Sequence, residues 1–491
     1  MRSAATTTRR SAPGDSSTPA RDRISAPERD GGFERGIGLR QAIAINMTQM
    51  CGIGPFVTIP LMIAALGGPQ AAFGWIVGAL LALVDGLVWA ELGAAMPGAG
   101  GTYLYLREAF QYRSGRLMPF LFVWTAMITI PLIMATGVIG LVQYLGYLLP
   151  GMSWIEIHAV SLAVVAVVLI ALYRRVTETG AISLVLWGIA LLSLLIVIVA
   201  LLTHFHAHLA FTYPHKAFAF GGPFWAGLGG GLLIGIYDYL GYNTTAYMAA
   251  ELKDPGRVLP RSIIYSVMGI MVAYLAMNIG VLGVVPWQTA AHSDSIASLV
   301  LERTWGKTAA DITTVLIVVT AFGSIFAGLL GGSRVPYNAA RDGLFFRAFG
   351  RLHPRHHFPH VALLVMGLIT AVGSFFSLST VINVLLAVFV IVQAIAQVVA
   401  LTVLRRRQPE LRRPYRQWLY PLPSLAALAG WIYVYTSSGS TPIIFSLAVL
   451  VAGLLAFAVW AKVERQWPFG PKVVHEDFLE AQRHGDRPVT A

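Results

Sequence analysis

The feature that most restricts the fold of this chain is a series of long segments without Lys, Arg, Asp or Glu. Only 12% of the 491 residues are charged, whereas soluble domains carry about a quarter. A helix that crosses a bilayer needs about 20 mostly apolar residues, and each segment can hold one or two such helices. The charge pattern therefore argues strongly against a water-soluble fold. The charge-free segments are 41–84, 117–155, 157–173, 179–215, 262–293, 312–333, 356–404 and 417–461.

These segments predict an all-α polytopic membrane protein with twelve transmembrane helices. In lipid the backbone must satisfy its own hydrogen bonds, which leaves helices or closed barrels, and the segments lack the alternating ten-residue pattern of barrel strands. The predicted helices cover 41–66, 70–96, 117–148, 155–173, 180–203, 223–251, 261–285, 309–333, 360–378, 381–404, 418–436 and 441–461.

The two ends of the chain differ from this apolar middle. Residues 1–35 are rich in Ser, Thr, Pro, Gly and Arg, and we predict a disordered cytoplasmic tail because they cannot bury enough apolar surface to offset chain entropy. Residues 462–491 form a second predicted polar tail. Cys51 is the only cysteine, so an internal disulfide is excluded. Because no catalytic motif or metal-ligand pattern occurs, we predict neither an enzyme nor a cofactor or metal site.

The basic residues indicate an orientation. With twelve helices, 32 of the 35 Lys and Arg residues lie in loops on one side, which we call the basic face. Such an excess marks the cytoplasmic side. We therefore predict a multi-pass protein of the cell membrane with both termini in the cytoplasm. The net charge of +12 then reflects orientation and contact with anionic lipids rather than binding to nucleic acid.

Two of the predicted helices contain interruptions. Helix 1 contains Gly52, Gly54 and Pro55 within six residues, and helix 6 carries Asp238 just before Gly241 and a polar cluster, Asn243-Thr244-Thr245. The two helices are five apart and so run in opposite directions. Broken helices at matching positions of inverted repeats indicate a transporter's substrate site near the membrane midplane. Each break alone is also compatible with a simple packing kink.

Four motifs carry a resemblance to a known family. The glycine break of helix 1 is followed by AELGAAMP at 90–97 with GGTY at 100–103, by ELKDPGR at 251–257, and by SR at 333–334 with ARDG at 340–343. In this order they resemble the amino acid–polyamine–organocation permeases, in the form of the bacterial amino acid permeases, over residues 36 to 460.

This resemblance implies a fold and an activity. The fold would be a five-plus-five inverted repeat of the leucine-transporter type with discontinuous helices 1 and 6. The first repeat would cover 41–203, the second 223–404, and helices 11 and 12 at 418–461 would be peripheral. The implied activity is secondary transport of an amino acid or related amine. The substrate carboxylate would meet the backbone at Gly52, Ile53 and Gly54. Its amine would meet carbonyls near Tyr237, Asp238, Tyr239 and Gly241.

Further residues have roles that the sequence leaves open. Thr125, Thr129, Thr320 and Phe322 are candidate pocket residues, although helix packing is the better explanation for each of them singly. Tyr237 would close over the substrate from outside, and Glu91 and Glu251 would pair with Arg residues as an inner gate. The coupling ion is a proton on Asp238 or Asp85, or Na⁺ near Thr320 or Ser324. We favour the proton. Some proton-coupled relatives place a Lys in helix 5, which is absent here.

The acid at position 238 leaves the substrate class open. An ionised Asp238 would favour a cationic amino acid or polyamine, or it could carry the coupled proton, whereas a structural Asp would do neither. A second class of function is a substrate sensor that binds without transport. The oligomeric state cannot be inferred from the sequence.

Overall fold

The computed structural model describes residues 36–97, 102–173, 176–215, 217–354 and 358–464. Within these ranges the chain is helical, with one isolated parallel bridge between Ile37 and Leu252. The predicted N-terminal tail and residues 465–491 of the C-terminal tail lie outside the described residues.

Twenty α-helices occur in the described part of the chain. The first ten are α1 (Leu39–Met50), α2 (Gly54–Leu66), α3 (Ala72–Ala95), α4 (Thr102–Ser114), α5 (Leu117–Leu148), α6 (Trp154–Leu172), α7 (Val176–Thr203), α8 (Ala207–Ala210), α9 (Gly222–Tyr239) and α10 (Thr244–Tyr247). The second ten are α11 (Pro255–Val284), α12 (Trp287–Ala290), α13 (Ile296–Trp305), α14 (Lys307–Gly332), α15 (Arg334–Arg341), α16 (His360–Gly373), α17 (Leu378–Phe389), α18 (Ile395–Arg407), α19 (Leu422–Ser437) and α20 (Ser440–Val463).

Several of these helices are long and apolar enough to cross a membrane. Seven helical stretches meet this criterion, and the pair α1 and α2, bent by 58° at its break, makes an eighth if it is one span. Two shorter apolar helices, Gly188–Thr203 and His360–Gly373, accompany them. Since membrane-length apolar helices need a bilayer to cover their surface, the chain is a multi-pass membrane protein.

Each of the twelve segments predicted from the sequence contains a helix, although several boundaries differ. The predicted helix 223–251 ends at Tyr239 and resumes as the short α10. The predicted helix 381–404 is longer, because α17 and α18 are joined through a π-helical turn, Val390–Ala394. The predicted helix 418–436 begins only at Leu422, since Leu419 has a positive φ of 52° that no helix accommodates.

The sequence explains where several helices begin. Ser153 caps α6 by accepting from Glu156 N–H, while Glu156 accepts from Ser153 N–H, which is a capping box. Proline stands at the first or second position of α2, α9 and α11, where a missing backbone N–H removes no intrahelical bond.

The long helices form two packing groups. In the first, α3 packs against α9 and α11, α1 against α11, and α2 against α9. In the second, α5 packs against α14 and α16, and α14 also packs against α6 and α7. The two broken helices belong to the first group, and the second group lies beside their breaks.

Segments predicted to share the basic face contact one another. Ile37 N–H donates to Glu251 O over 3.1 Å, and Lys253 N–H donates to Ile37 O over 3.1 Å. Arg347 Nη2 lies 2.5 Å from Glu464 Oε2. The first two contacts join the start of the first helix to the end of the sixth segment, and the third joins the loop after α15 to the end of α20.

Candidate functional site

The first break leaves two backbone donors at the start of a helix. Helix α1 ends at Met50, and α2 begins at Gly54 with Pro55 in its first turn. In the described part of the chain no oxygen accepts a hydrogen bond from the N–H of Ile53 or Gly54. These N–H groups lie at the positive end of the α2 dipole, which is a favourable place for an anion.

The second break is held against the first by a glycine. Gly241 follows α9 with φ +115°, a conformation that L side chains rarely adopt. A Cβ there would lie 2.7 Å from Gln49 Cγ and 3.1 Å from the Gln49 backbone carbon. Gly241 is therefore required both by its own backbone and by the close approach of α1.

Asp238 lies between the two breaks. It is 3% exposed, near the end of α9, and its Oδ2 lies within hydrogen-bonding distance of the Thr58 hydroxyl of α2. A Cβ at Gly54 would collide with Asp238 Oδ1. That oxygen is buried and accepts no hydrogen bond from the described residues. The carboxylate of one broken helix is therefore directed at the start of the other.

Tyr274 on α11 connects both breaks. Its hydroxyl lies 2.8 Å from Met50 O, the last residue of α1, and 3.4 Å from Asp238 O. Its ring packs against Tyr239, with centroids 5.7 Å apart. Tyr239 in turn donates to Trp75 O over 3.2 Å. The three aromatic side chains fix the inner surface of the first packing group.

Tyr237 reaches across to the second packing group. It is 8% exposed, and its hydroxyl lies 2.6 Å from Thr136 Oγ1 of α5. Nearby, Tyr144 of α5 donates to Phe56 O of α2 over 2.8 Å. These contacts join the two groups on the side of the breaks that faces away from the basic face.

The residues proposed for sodium lie on α14. A Cβ at Gly52 would lie 3.4 Å from Ser324 Oγ, so Ser324 adjoins the first break. Thr320 Oγ1 donates to Leu316 O and lies 3.2 Å from Ser193 Oγ of α7. Ser324 thus lies at the break, whereas Thr320 is bonded between α14 and α7.

The candidate pocket residues have partners elsewhere. Gln393, in the π-helical turn, donates to Thr125 over 3.3 Å and to Thr129 over 3.2 Å. Phe322 stacks on Phe326 with centroids 6.5 Å apart. The contacts of Thr125 and Thr129 therefore fasten α5 to the π-helical turn, and no contact with the breaks is recorded for Phe322 in the described residues.

Asp85 on α3 is surrounded by donors. It is 1% exposed and accepts from Tyr242 over 2.5 Å, from Trp431 over 2.9 Å and from Trp89 over 3.1 Å. Tyr242 comes from the second break and Trp431 from α19. The carboxylate thereby joins three helical segments, and no described residue forms an ion pair with it.

Glu91 is fully buried and pairs with arginines, as the sequence predicts. Arg405 donates from Nε and Nη2 to its two oxygens, at 2.8 and 2.5 Å, which is a bidentate pair. Arg413 Nε lies 3.5 Å from Glu91 Oε1, and Gln417 N–H donates over 2.7 Å. This network joins α3 to α18 and to the loop after it.

Glu251 does not show the predicted pairing. Its backbone oxygen accepts from Ile37, but its carboxylate makes no ion pair within the described ranges. Glu91 alone therefore matches the expected pairing of a helix-end acid with Arg.

Sequence reasoning missed Thr58, Thr136, Tyr274 and Gln393. The position of Thr58 could have indicated its role, because a residue four places after Gly54 lies on the same helical face. The other three stand on separate helices in ordinary apolar surroundings. Their roles depend on the packing of helices far apart in sequence, which no local pattern encodes.

Two broken helices that meet at a buried carboxylate, within a bundle of membrane-length helices, are the architecture of a membrane transporter. The family model described as "Amino acid permease" matches residues 37–469. The chain therefore belongs to the amino acid permease family, and it is a membrane transporter of amino acids.

Curated relatives align over most of the chain. The branched-chain amino acid permease BcaP of Bacillus subtilis (strain 168) is 25% identical, over 90% of this chain and 96% of the relative. The Asc-type amino acid transporter 1 of Mus musculus is 28% identical, over 91% of this chain and 84% of the relative. The aspartate-proton symporter of Bacillus subtilis (strain 168) is 24% identical, over 79% and 76% respectively.

Proposed function

We propose that this transporter takes up a zwitterionic amino acid by alternating access, with the substrate bound between the two breaks and with a proton as the coupling ion. The observation that carries this proposal is the contact between Asp238 and the start of α2. There a buried carboxylate lies beside two free N–H groups, so one small region suits both a proton and a carboxylate.

The substrate carboxylate would accept from the N–H groups of Ile53 and Gly54, where the α2 dipole stabilises negative charge. Its ammonium group would meet carbonyl oxygens at the end of α9, near Tyr237 and Gly241. This arrangement uses only backbone groups, so it suits the part that all amino acids share. Side-chain selectivity would come from the surrounding helices.

Asp238 would couple the substrate to the proton. When ionised, it places a negative charge at the start of α2 and repels an arriving carboxylate. When protonated, it removes this repulsion, so proton and substrate favour each other's binding. Such linkage is reciprocal. The substrate affinity would then rise as the pH falls.

Alternating access would use the two packing groups. The contact of Tyr237 with Thr136 would close the path on one side of the substrate, and the pairing of Glu91 with Arg405 would close it on the basic face. Opening one contact while the other stays closed would expose the site to one side of the membrane, and the reverse would expose it to the other side. Glu251 would contribute through the backbone bond of its oxygen to Ile37.

The finer architecture is part of the same proposal. Twelve spans, a five-plus-five inverted repeat with two peripheral helices, a cell-membrane location and cytoplasmic termini follow from the basic face and from the family resemblance. A reporter that fluoresces only in the cytoplasm, fused after Ala491, tests the orientation. Fluorescence supports it, and a dark but expressed fusion contradicts it.

Uptake into proteoliposomes tests the function. Purified protein would be reconstituted with an acidic exterior, and labelled leucine, serine, aspartate, lysine and putrescine would be compared. Accumulation of a zwitterionic amino acid that collapses with a protonophore is expected. Accumulation driven by Na⁺ at equal pH would instead favour the site near Ser324.

A cationic amine is the second candidate, because Asp238 Oδ1 is buried and has no hydrogen-bond partner among the described residues. Preferential uptake of lysine or putrescine would support it and contradict the zwitterion proposal. Saturable binding without accumulation would indicate a sensor.

A further inference from the structure

A cavity opens at the basic face, away from the two breaks. Its volume is about 700 Å³, and it lies between the end of α18 and the start of α19. Its lining residues include Arg405, Arg406, Arg413 and Arg416. Four cations around one cavity indicate an anionic ligand.

The charges of these arginines are only partly compensated. Glu91 is buried behind the cavity and pairs with Arg405 and Arg413. Arg406 and Arg416 are exposed and make no ion pair within the described part of the chain. Burial and the neighbouring Arg405 and Arg416 lower the pKa of Arg413, which Glu91 opposes. An added anion would relieve this mutual repulsion.

The other side of the cavity is apolar. Val398 and Val399 of α18 face Leu425 and Leu428 of α19 across it. Tyr420 lies at the boundary, with its ring 3.9 Å from the Arg405 guanidinium. The cavity therefore has a cationic end beside an apolar cleft between two membrane helices. A ligand that fits both ends carries a phosphate and a hydrocarbon chain.

We propose that this cavity binds one anionic phospholipid. The headgroup phosphate accepts from Arg406 and Arg416, and an acyl chain lies between α18 and α19. A free phosphate would use the arginines but not the apolar cleft, and a zwitterionic lipid would bring a second, positive charge into a cationic end. Arg405 and Arg413 line the same cavity and pair with Glu91, so the lipid lies next to that contact.

Native mass spectrometry of the detergent-purified full chain tests the proposal. Phosphatidylglycerol, phosphatidylcholine and inorganic phosphate would be titrated separately against the wild type. The test variant is R406A/R416A, and the matched control is Arg412→Ala, an exposed arginine of the same loop that does not line the cavity. One tightly bound phosphatidylglycerol is expected in the wild type and the control. Loss of both arginines weakens it roughly 30-fold.

Three results would overturn the proposal. Equal phosphatidylglycerol affinity in the double variant and the control would show that the cavity is not the site. Equal binding of phosphatidylcholine would remove the anionic selectivity. Occupancy by inorganic phosphate with the same affinity would replace the lipid by a free anion. If the double variant does not fold, Arg406→Lys and Arg416→Lys are measured separately, since each keeps the charge but loses bidentate contacts. Each should bind phosphatidylglycerol more weakly than the Arg412→Ala control, and affinities equal to the control in both would overturn the proposal.

Discussion

The molecule contains two buried aspartates with opposite surroundings. Asp85 accepts three hydrogen bonds, from Trp89, Tyr242 and Trp431. Asp238 contacts the Thr58 hydroxyl through one oxygen, and its other oxygen accepts nothing from the described residues. Both are almost fully buried, so burial alone does not distinguish them.

The different surroundings of the two carboxylates suit different roles. Three donors hold the Asp85 carboxylate in place between α3, the second break and α19. A carboxylate with a free oxygen beside unpaired N–H groups can exchange a proton and respond to a ligand. We therefore propose a structural role for Asp85 and a functional role for Asp238. The sequence offers both as candidate proton carriers, but only Asp238 lies in a helix break.

The largest effect is expected from Gly54→Ala. The new Cβ collides with the Asp238 carboxylate and displaces it from the start of α2. Uptake in proteoliposomes should fall by about 100-fold, because a misplacement of about 1 Å in a site can reduce its activity by that factor.

Gly52→Ala is the matched control for this change, because its Cβ would meet Ser324 Oγ at 3.4 Å, a distance that a small side-chain shift relieves. Similar losses in both variants would show that the break as a whole, rather than its contact with Asp238, limits transport.

Asp85→Asn should lower stability more than transport. The amide replaces an acceptor oxygen by a donor, so at least one of the three donors loses its partner in the interior. The expected loss is about 2 kcal/mol of unfolding free energy, measured by denaturant unfolding in detergent. The pH dependence of uptake should be unchanged. If that dependence vanished instead, Asp85 would be the proton carrier.

Thr58→Val should alter the pH profile with little loss of stability. The substitution keeps the shape but removes the hydroxyl beside Asp238. Because the ionised carboxylate loses a donor that favours it, the profile of uptake should move to higher pH. Uptake measured between pH 5 and 8 checks this. A shift to lower pH would contradict the assignment.

The smallest effect is expected from Trp431→Phe. It removes one of the three donors to Asp85 and keeps most of the ring. Unfolding should become easier by about 1 kcal/mol, while uptake and its pH dependence stay as in the wild type. A strong loss of uptake would show that α19 takes part in transport.

Much of the fold could be predicted from the sequence. Charge-free segments identify helices wherever burial in lipid dominates, and Gly52, Gly54 and Pro55 identify the first break because they alter the backbone locally. Tertiary contacts were harder to predict. The pairing of Glu91 with arginines could be predicted from charge alone. The contact of Trp431 with Asp85, more than 300 residues earlier, and the contact of Tyr274 with Met50 depend on three-dimensional packing.

The two aspartates also show that residue type and an apolar helix are not enough to identify a functional acid. An acid within an apolar helix indicates a special site, yet Asp85 and Asp238 satisfy that criterion equally. The donors around each carboxylate separate them further. The donors to Asp85 come from α3 itself and from two other segments, whereas the described donor to Asp238 comes from α2.

The most direct test of the account is substrate-driven proton movement in proteoliposomes that enclose a pH-sensitive dye. In the wild type and in Asp85→Asn, adding the transported amino acid outside should acidify the interior, and a pH gradient should drive accumulation. In Asp238→Asn, which mimics the protonated acid, the substrate should still enter down its own gradient without acidification. Acidification that persists in Asp238→Asn would contradict the central claim that Asp238 carries the coupled proton.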